Sequence, residues 1–127
     1  MSNSPTVIYN ITINQYASYR LYYTWKTGGE VQTPINNTGY KVLMQVRPNV
    51  DSPAIFEATT TKGKFVLGGL SGTVTLTMSD EDTGKLKPVN GIYDILMISP
   101  TNFVSRIMEG SFTVRPGVSR RTGSGLL

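Results

Sequence analysis

"YRLYYTWKTGG", residues 19–29, is the stretch on which the fold turns. Tyr19, Leu21, Tyr23 and Trp25 alternate with Arg20, Tyr22, Thr24 and Lys26, and Gly28-Gly29 closes the run. Successive side chains of a strand leave opposite faces, so strict alternation of apolar and polar residues predicts a half-buried strand.

Working outward, the same period recurs with turn signals between the runs, the pattern of a sandwich or barrel. Val7, Tyr9, Ile11 and Ile13 alternate with Ile8, Asn10, Thr12 and Asn14, predicting one first strand. Thr38-Gly39 breaks the chain ahead of a strand from Tyr40 to Arg47, which Pro48 ends. A shorter strand is expected over 54–59, with Ile55 or Phe56 inward. Lys62-Gly63-Lys64 is a turn, and Phe65-Val66-Leu67 is a brief strand ended by Gly68-Gly69. Val74, Leu76 and Met78 alternate with Thr73, Thr75 and Thr77. Ile92 to Ser99 is apolar on both faces, so a central strand covered on both sides is expected. Pro100-Thr101-Asn102 predicts a hairpin turn into Val104–Glu109, and Ser111–Val114 is expected as a separate last strand. The predicted core holds Tyr23, Trp25, Val42, Met44, Leu76, Tyr93, Ile95 and Val114.

One segment, "MSDEDTGKLKP", departs from this period. Ser79 is an N-cap residue, and Asp80, Glu81 and Asp82 fill the first turn, where the helix dipole favours them. Ser79 and Asp82 stand at capping-box spacing. One short helical turn is expected near residues 79–86, since Pro88 forbids more.

The chain has 127 residues, 39% of them apolar, which fits one domain with one core. The expected division is a single sandwich over 1–119 and a flexible tail over 120–127. There is no cysteine and no histidine. A disulfide framework, a thiolate metal site and a cysteine nucleophile are thereby excluded, and the commonest general base and zinc ligand are missing. The net charge is +4, from lysines and arginines scattered along the chain, with one cluster at Arg115, Arg120 and Arg121. A nucleic-acid surface calls for a denser basic stripe with interleaved aromatics, so nucleic acid is not the expected partner. The polar opening residues carry no apolar export segment, and no run approaches the roughly 20 apolar residues of a membrane span. The expectation is a protein made in the cytoplasm without an export signal, with no membrane partner.

Candidate chemistry is thin. Asp80, Glu81 and Asp82 are better explained as a helix start than as a cation site, because calcium-loop spacing is absent. Asp94, Glu109 and Glu57 lie singly on strands, and Asp94 is expected to pair with Arg106 across the hairpin. The glycine pairs match no phosphate loop. No nucleophile and base can be named, so no catalytic residue, cofactor or metal is expected and the chain is read as a non-enzyme.

Three stretches bear a family resemblance: "YNITINQYASYRLYYTWKTGGEVQTPINNTGYKVLMQVRP", "GTVTLTMSDEDTGKL" and "GIYDILMISPTNFVSRIMEGSFTVRPGVSR". In this order, across about residues 9–121, they resemble a domain of tailed bacteriophages, similar to the N-terminal modules of baseplate and tail-fibre proteins. The resemblance implies an all-β, immunoglobulin-like antiparallel β-sandwich and a structural role in the virion. "INNTGY" departs from the family's apolar "LTGY" type, and the Ser-Gly tail is an addition.

The expected function is therefore assembly by protein–protein contact in a tail, baseplate, fibre-attachment or neck position. The expected partners are other virion structural proteins, with multiple copies in a symmetric assembly. Capsid decoration is the alternative, as is a carbohydrate-binding module, which would need Tyr22, Tyr16 or Tyr19 grouped on one open surface. The expected contact residues are the row Lys41, Leu43, Gln45 and Arg47, in which Lys41 and Arg47 carry cationic heads on apolar stems, and the tail residues Arg115, Arg120, Arg121, Leu126 and Leu127.

Overall fold

The computed structural model describes residues 6–28 and 31–120. Among these residues nine strands form two facing sheets: β1 (Val7–Ile8), β2 (Ile11–Asn14), β3 (Tyr19–Thr24), β4 (Lys41–Arg47), β5 (Phe56–Thr59), β6 (Phe65–Leu67), β7 (Thr73–Met78), β8 (Val89–Ile98) and β9 (Val104–Arg115). The larger sheet runs β1/β2-β9-β8-β4-β5 and the smaller β3-β7-β6. This is the expected immunoglobulin-like β-sandwich. It is not wholly antiparallel, however: β1 and β2 both run parallel to β9, Val7 opposite Met108 and Ile13 opposite Val114.

Each sheet buries one face. Ile11, Ile13, Val42, Met44, Val46, Ile95, Met97 and Phe112 meet Leu21, Val74, Leu76 and Met78 from the opposite sheet. All eight predicted core residues belong to this layer, with Tyr23 half-buried at its margin. Phe112 anchors it, stacked on Phe56 at 6.5 Å and edge-on to Tyr93 at 6.3 Å between centroids. Such pairs add to the burial of large aromatic surface.

The first strand breaks in two. Asn10 turns its side chain to accept the Ser111 N–H at 3.1 Å, interrupting the ladder between β1 and β2. The close approach is possible because residue 110 is glycine: a Cβ there would stand 2.3 Å from the Tyr9 carbonyl oxygen. Gly110 therefore does not separate two strands as expected; β9 runs through it without a break. A bulge lies three residues earlier, at Ile107. Ile95 faces Met108 while Leu96 faces Arg106, so Ile107 has no partner across the ladder and is buried beside Met108.

The helical turn is α1, Asp80–Gly84, and its capping box is complete: Ser79 Oγ accepts the Asp82 N–H and Asp82 accepts the Ser79 N–H, both at 3.1 Å. Lys64 donates to the same Asp82 carboxylate at 2.5 Å. Burial pushes the Asp82 pKa up, but the Lys64 and Ser79 hydrogen bonds outweigh it and hold the carboxyl below its ordinary value.

The departure at "INNTGY" has a physical account. Asn37 is fully buried, yet its amide is satisfied at both ends: it donates to the Thr73 carbonyl at 3.0 Å and accepts the Gly69 N–H at 2.7 Å. It ties the loop before β4 to the 3-10 turn Gly69–Ser71.

Candidate functional site

The outward face of the six-stranded sheet is the candidate site. Alternation along β4 sends Val42, Met44 and Val46 inward and Lys41, Leu43, Gln45 and Arg47 outward, as expected. Their neighbours follow from the register: Leu96 beside Leu43, Asp94 beside Gln45, Ile92 beside Arg47 and Ile98 beside Lys41. Sequence reasoning took the apolar outer row of β8 as a sign of cover on both sides. Among the described residues no element covers it, and Ile92 is 39% exposed. The row is instead the floor of an open groove of about 540 Å³, walled by Ile8, Val50 and Arg106. The both-sides-apolar pattern of β8 was the available signal, but an open apolar face and a covered one give the same pattern.

Charges around the groove are held by their own sheet. Arg47 donates to the Ser52 carbonyl at 2.7 Å and to Gln45 Oε1 at 2.8 Å. Gln45 in turn donates to Glu57 at 2.8 Å, and Lys62 meets the other Glu57 oxygen at 3.2 Å. The Gln45 and Lys62 hydrogen bonds hold the Glu57 carboxyl below its ordinary value. On the other flank Arg106 contacts Asp94 and Glu109, each at 3.3 Å. The expected Asp94–Arg106 pair is present, and Glu109 joins it through the bulge. Residues three apart on a regular strand leave opposite faces. The extra Ile107 restores Arg106 and Glu109 to one face.

The result is an apolar strip, the neighbours Leu43 and Leu96 with Ile92 beyond them, interrupted by Asp94 and flanked by guanidinium and carboxylate groups whose side chains are already fixed. Side chains that are already fixed lower the ordering cost of any contact such a face makes.

The other expected contact residues do not join it. Arg115 ends β9, exposed, and the Arg120 guanidinium lies over the Tyr16 ring at 4.3 Å. Arg121, Leu126 and Leu127 lie outside the described residues. Nor do the tyrosines form one open surface. Tyr22 leaves the solvent face of β3 and is 68% exposed, Tyr19 leaves the inward face, and Tyr16 sits under Arg120. Asp80, Glu81 and Asp82 occupy the first turn of α1.

No protein-family model and no curated protein matches this sequence.

Proposed function

We propose that the protein is a non-enzymatic structural component of a bacteriophage virion, placed in the tail, baseplate, fibre attachment or neck, and acting by assembly with other virion proteins. The resemblance across about residues 9–121 supports the phage setting. The observation that carries the assembly role is the uncovered apolar strip Ile92-Leu96-Leu43 beside the tethered Arg47 and Arg106. Outward apolar side chains set among charged groups are the composition of a contact surface.

The test is incorporation into particles. Leu43→Glu and Leu96→Glu place charges in the middle of the strip without touching the core. Both variants are expected to fold, with wild-type circular dichroism, and to be depleted in purified particles by tenfold or more. Normal incorporation would remove the strip from the assembly interface. Copy number against the major capsid protein then locates the chain: tens of copies fit a tail or neck, and hundreds fit capsid decoration. Absence of the wild-type chain from particles would overturn the proposal.

A further inference from the structure

A second surface is built from backbone rather than side chains. Thr77 N–H donates to the Lys64 carbonyl at 3.0 Å, and Gly68 N–H donates to the Thr73 carbonyl at 2.9 Å. Along a strand, the peptide groups of one residue point to one side and those of the next to the other. Thr73, Thr75 and Thr77 therefore turn theirs toward β6, and Val74, Leu76 and Met78 turn theirs toward β3. The β3 partners of that second set are Tyr23, Leu21 and Tyr19. Arg20, Tyr22 and Thr24 consequently point their N–H and C=O groups away from β7. The Trp25 N–H, bonded to the Gly72 carbonyl at 2.8 Å, keeps the same phase. β3 is the terminal strand of its sheet, so among the described residues no strand receives these groups.

The other sheet edges are blunted. β6 has three residues, β5 has four with Glu57 among them, and β1/β2 is interrupted at Tyr9-Asn10. Short strands, edge charges and interruptions are the usual guards against edge-to-edge pairing. β3 has six residues and carries no proline, no bulge and one charge, Arg20.

We propose that this edge pairs with the same edge of a second copy of the chain, in antiparallel register about a two-fold axis at Tyr22. The proposal goes beyond the virion reading and does not rest on it. The register is chosen by charge and by use of the edge. Centred on Tyr22, the axis sets Arg20 opposite Thr24 of the other copy and engages all three outward residues. A shift of the register by two residues toward Lys26 would set Arg20 against Lys26, a like-charge pair that destabilises a sheet. With Tyr22 on the axis, its 68% exposed ring meets the same ring of the other copy on the solvent face. The half-buried Tyr19 and Tyr23 at the inner margin gain cover from the neighbouring strand. An isologous contact of this kind joins two three-stranded sheets into one of six and closes after two copies.

The experiment is amide hydrogen exchange and sedimentation on the full chain, from low micromolar to millimolar concentration. The wild type is expected to shift toward a dimer. The Arg20, Tyr22 and Thr24 amides should gain protection with the same concentration dependence, and the Leu21 amide, already bonded to β7, should not. Tyr22→Pro removes a donor at a position where an edge strand tolerates proline, and should weaken association at least tenfold. If it also lowers the melting temperature, Tyr22→Lys, an edge charge without a backbone change, carries the test. A chain that stays monomeric throughout overturns the proposal. So does a dimer in which the three amides still exchange freely, or protection that is independent of concentration. Protection that appears only on adding a foreign extended segment overturns it as well, assigning the edge to a different partner.

Discussion

Asn37 shows how one polar side chain is accommodated in an apolar setting. Its amide closes two backbone groups at 3.0 and 2.7 Å, so an apolar replacement of similar size would leave the part-buried Gly69 N–H facing an apolar side chain. Leaving a buried donor unsatisfied costs about 1–3 kcal/mol. Asn37→Leu is expected to destabilise by that amount, read as a lower urea midpoint with an unchanged slope, although the resembled family carries an apolar residue there. Trp25 presents the opposite case. It is 4% exposed and packs edge-on to Tyr40 at 5.5 Å, and its indole N–H has no hydrogen-bond partner among the described residues. Trp25→Ala should cost about 3–5 kcal/mol, the range for a large aromatic lost from a packed core. Trp25→Phe should cost less, because it keeps the six-membered ring and discards the orphan donor. If the two variants melt alike, the packing account of Trp25 is wrong.

At the scale of elements, the bulge in β9 has an electrostatic effect. The register sets Asp94 directly opposite Glu109, a like-charge pair. Arg106 reaches both only because Ile107 is extruded from the ladder. Arg106→Ala should therefore cost more than an ordinary exposed arginine, about 1 kcal/mol against a few tenths. Glu109→Gln in the same chain should recover most of the loss, and a double-mutant cycle measures the coupling. The tyrosines where β1 and β3 approach one another form a second such unit. Tyr93 donates to the Tyr9 carbonyl at 2.5 Å. Burial first, then the neighbouring Tyr9, pushes the Tyr19 hydroxyl up to about 12; burial, then Tyr19 and Tyr9, raises Tyr93 as well. An unfolded tyrosine ionises near pH 10, so between about pH 10 and 12 the unfolded chain loses a proton that the folded chain keeps. Stability is fully present below pH 10 and falls as pH rises through that window. Tyr19→Phe should flatten the fall between pH 10 and 12 in urea titrations, even though it lowers stability at pH 8.

For the whole molecule, alternation carried most of the architecture. β3, β4, β7 and β8 lie where their period-two runs place them, α1 has its capping box, and Asp94 meets Arg106. What escaped were features set by partners distant in sequence. Nothing local in Val7–Asn14 announces the break at Asn10, because its cause is the Ser111 N–H on the last strand. Nothing in Gly110 distinguishes a turn from a close approach of Tyr9. The candidate face was half legible: the β4 row was found from its own pattern, whereas the β8 row beside it was assigned to a second interior. Periodicity reports that a side chain is apolar, not what lies above it.

The pairing of β1 and β2 with β9 has a mechanical consequence. The first and last strands run side by side in the same direction over Val7–Asn14 and Met108–Arg115. Tension applied at the start of β1 and the end of β9 pulls them past each other, so their hydrogen bonds bear the load together. Tension between Asn90 and Arg115, at one end of the β8–β9 hairpin, would open that ladder one bond at a time. Forced unfolding is governed by the barrier along the pulling direction rather than by equilibrium stability. Because the sequence has no cysteine, single thiol handles can be introduced at will. Handles at Thr6 and Arg115 should rupture at a clearly higher force than handles at Asn90 and Arg115 in single-molecule pulling. Equal forces would show that the parallel strands do not bear the load. A domain strung end to end between two larger bodies would thus resist extension through the geometry of its first and last strands.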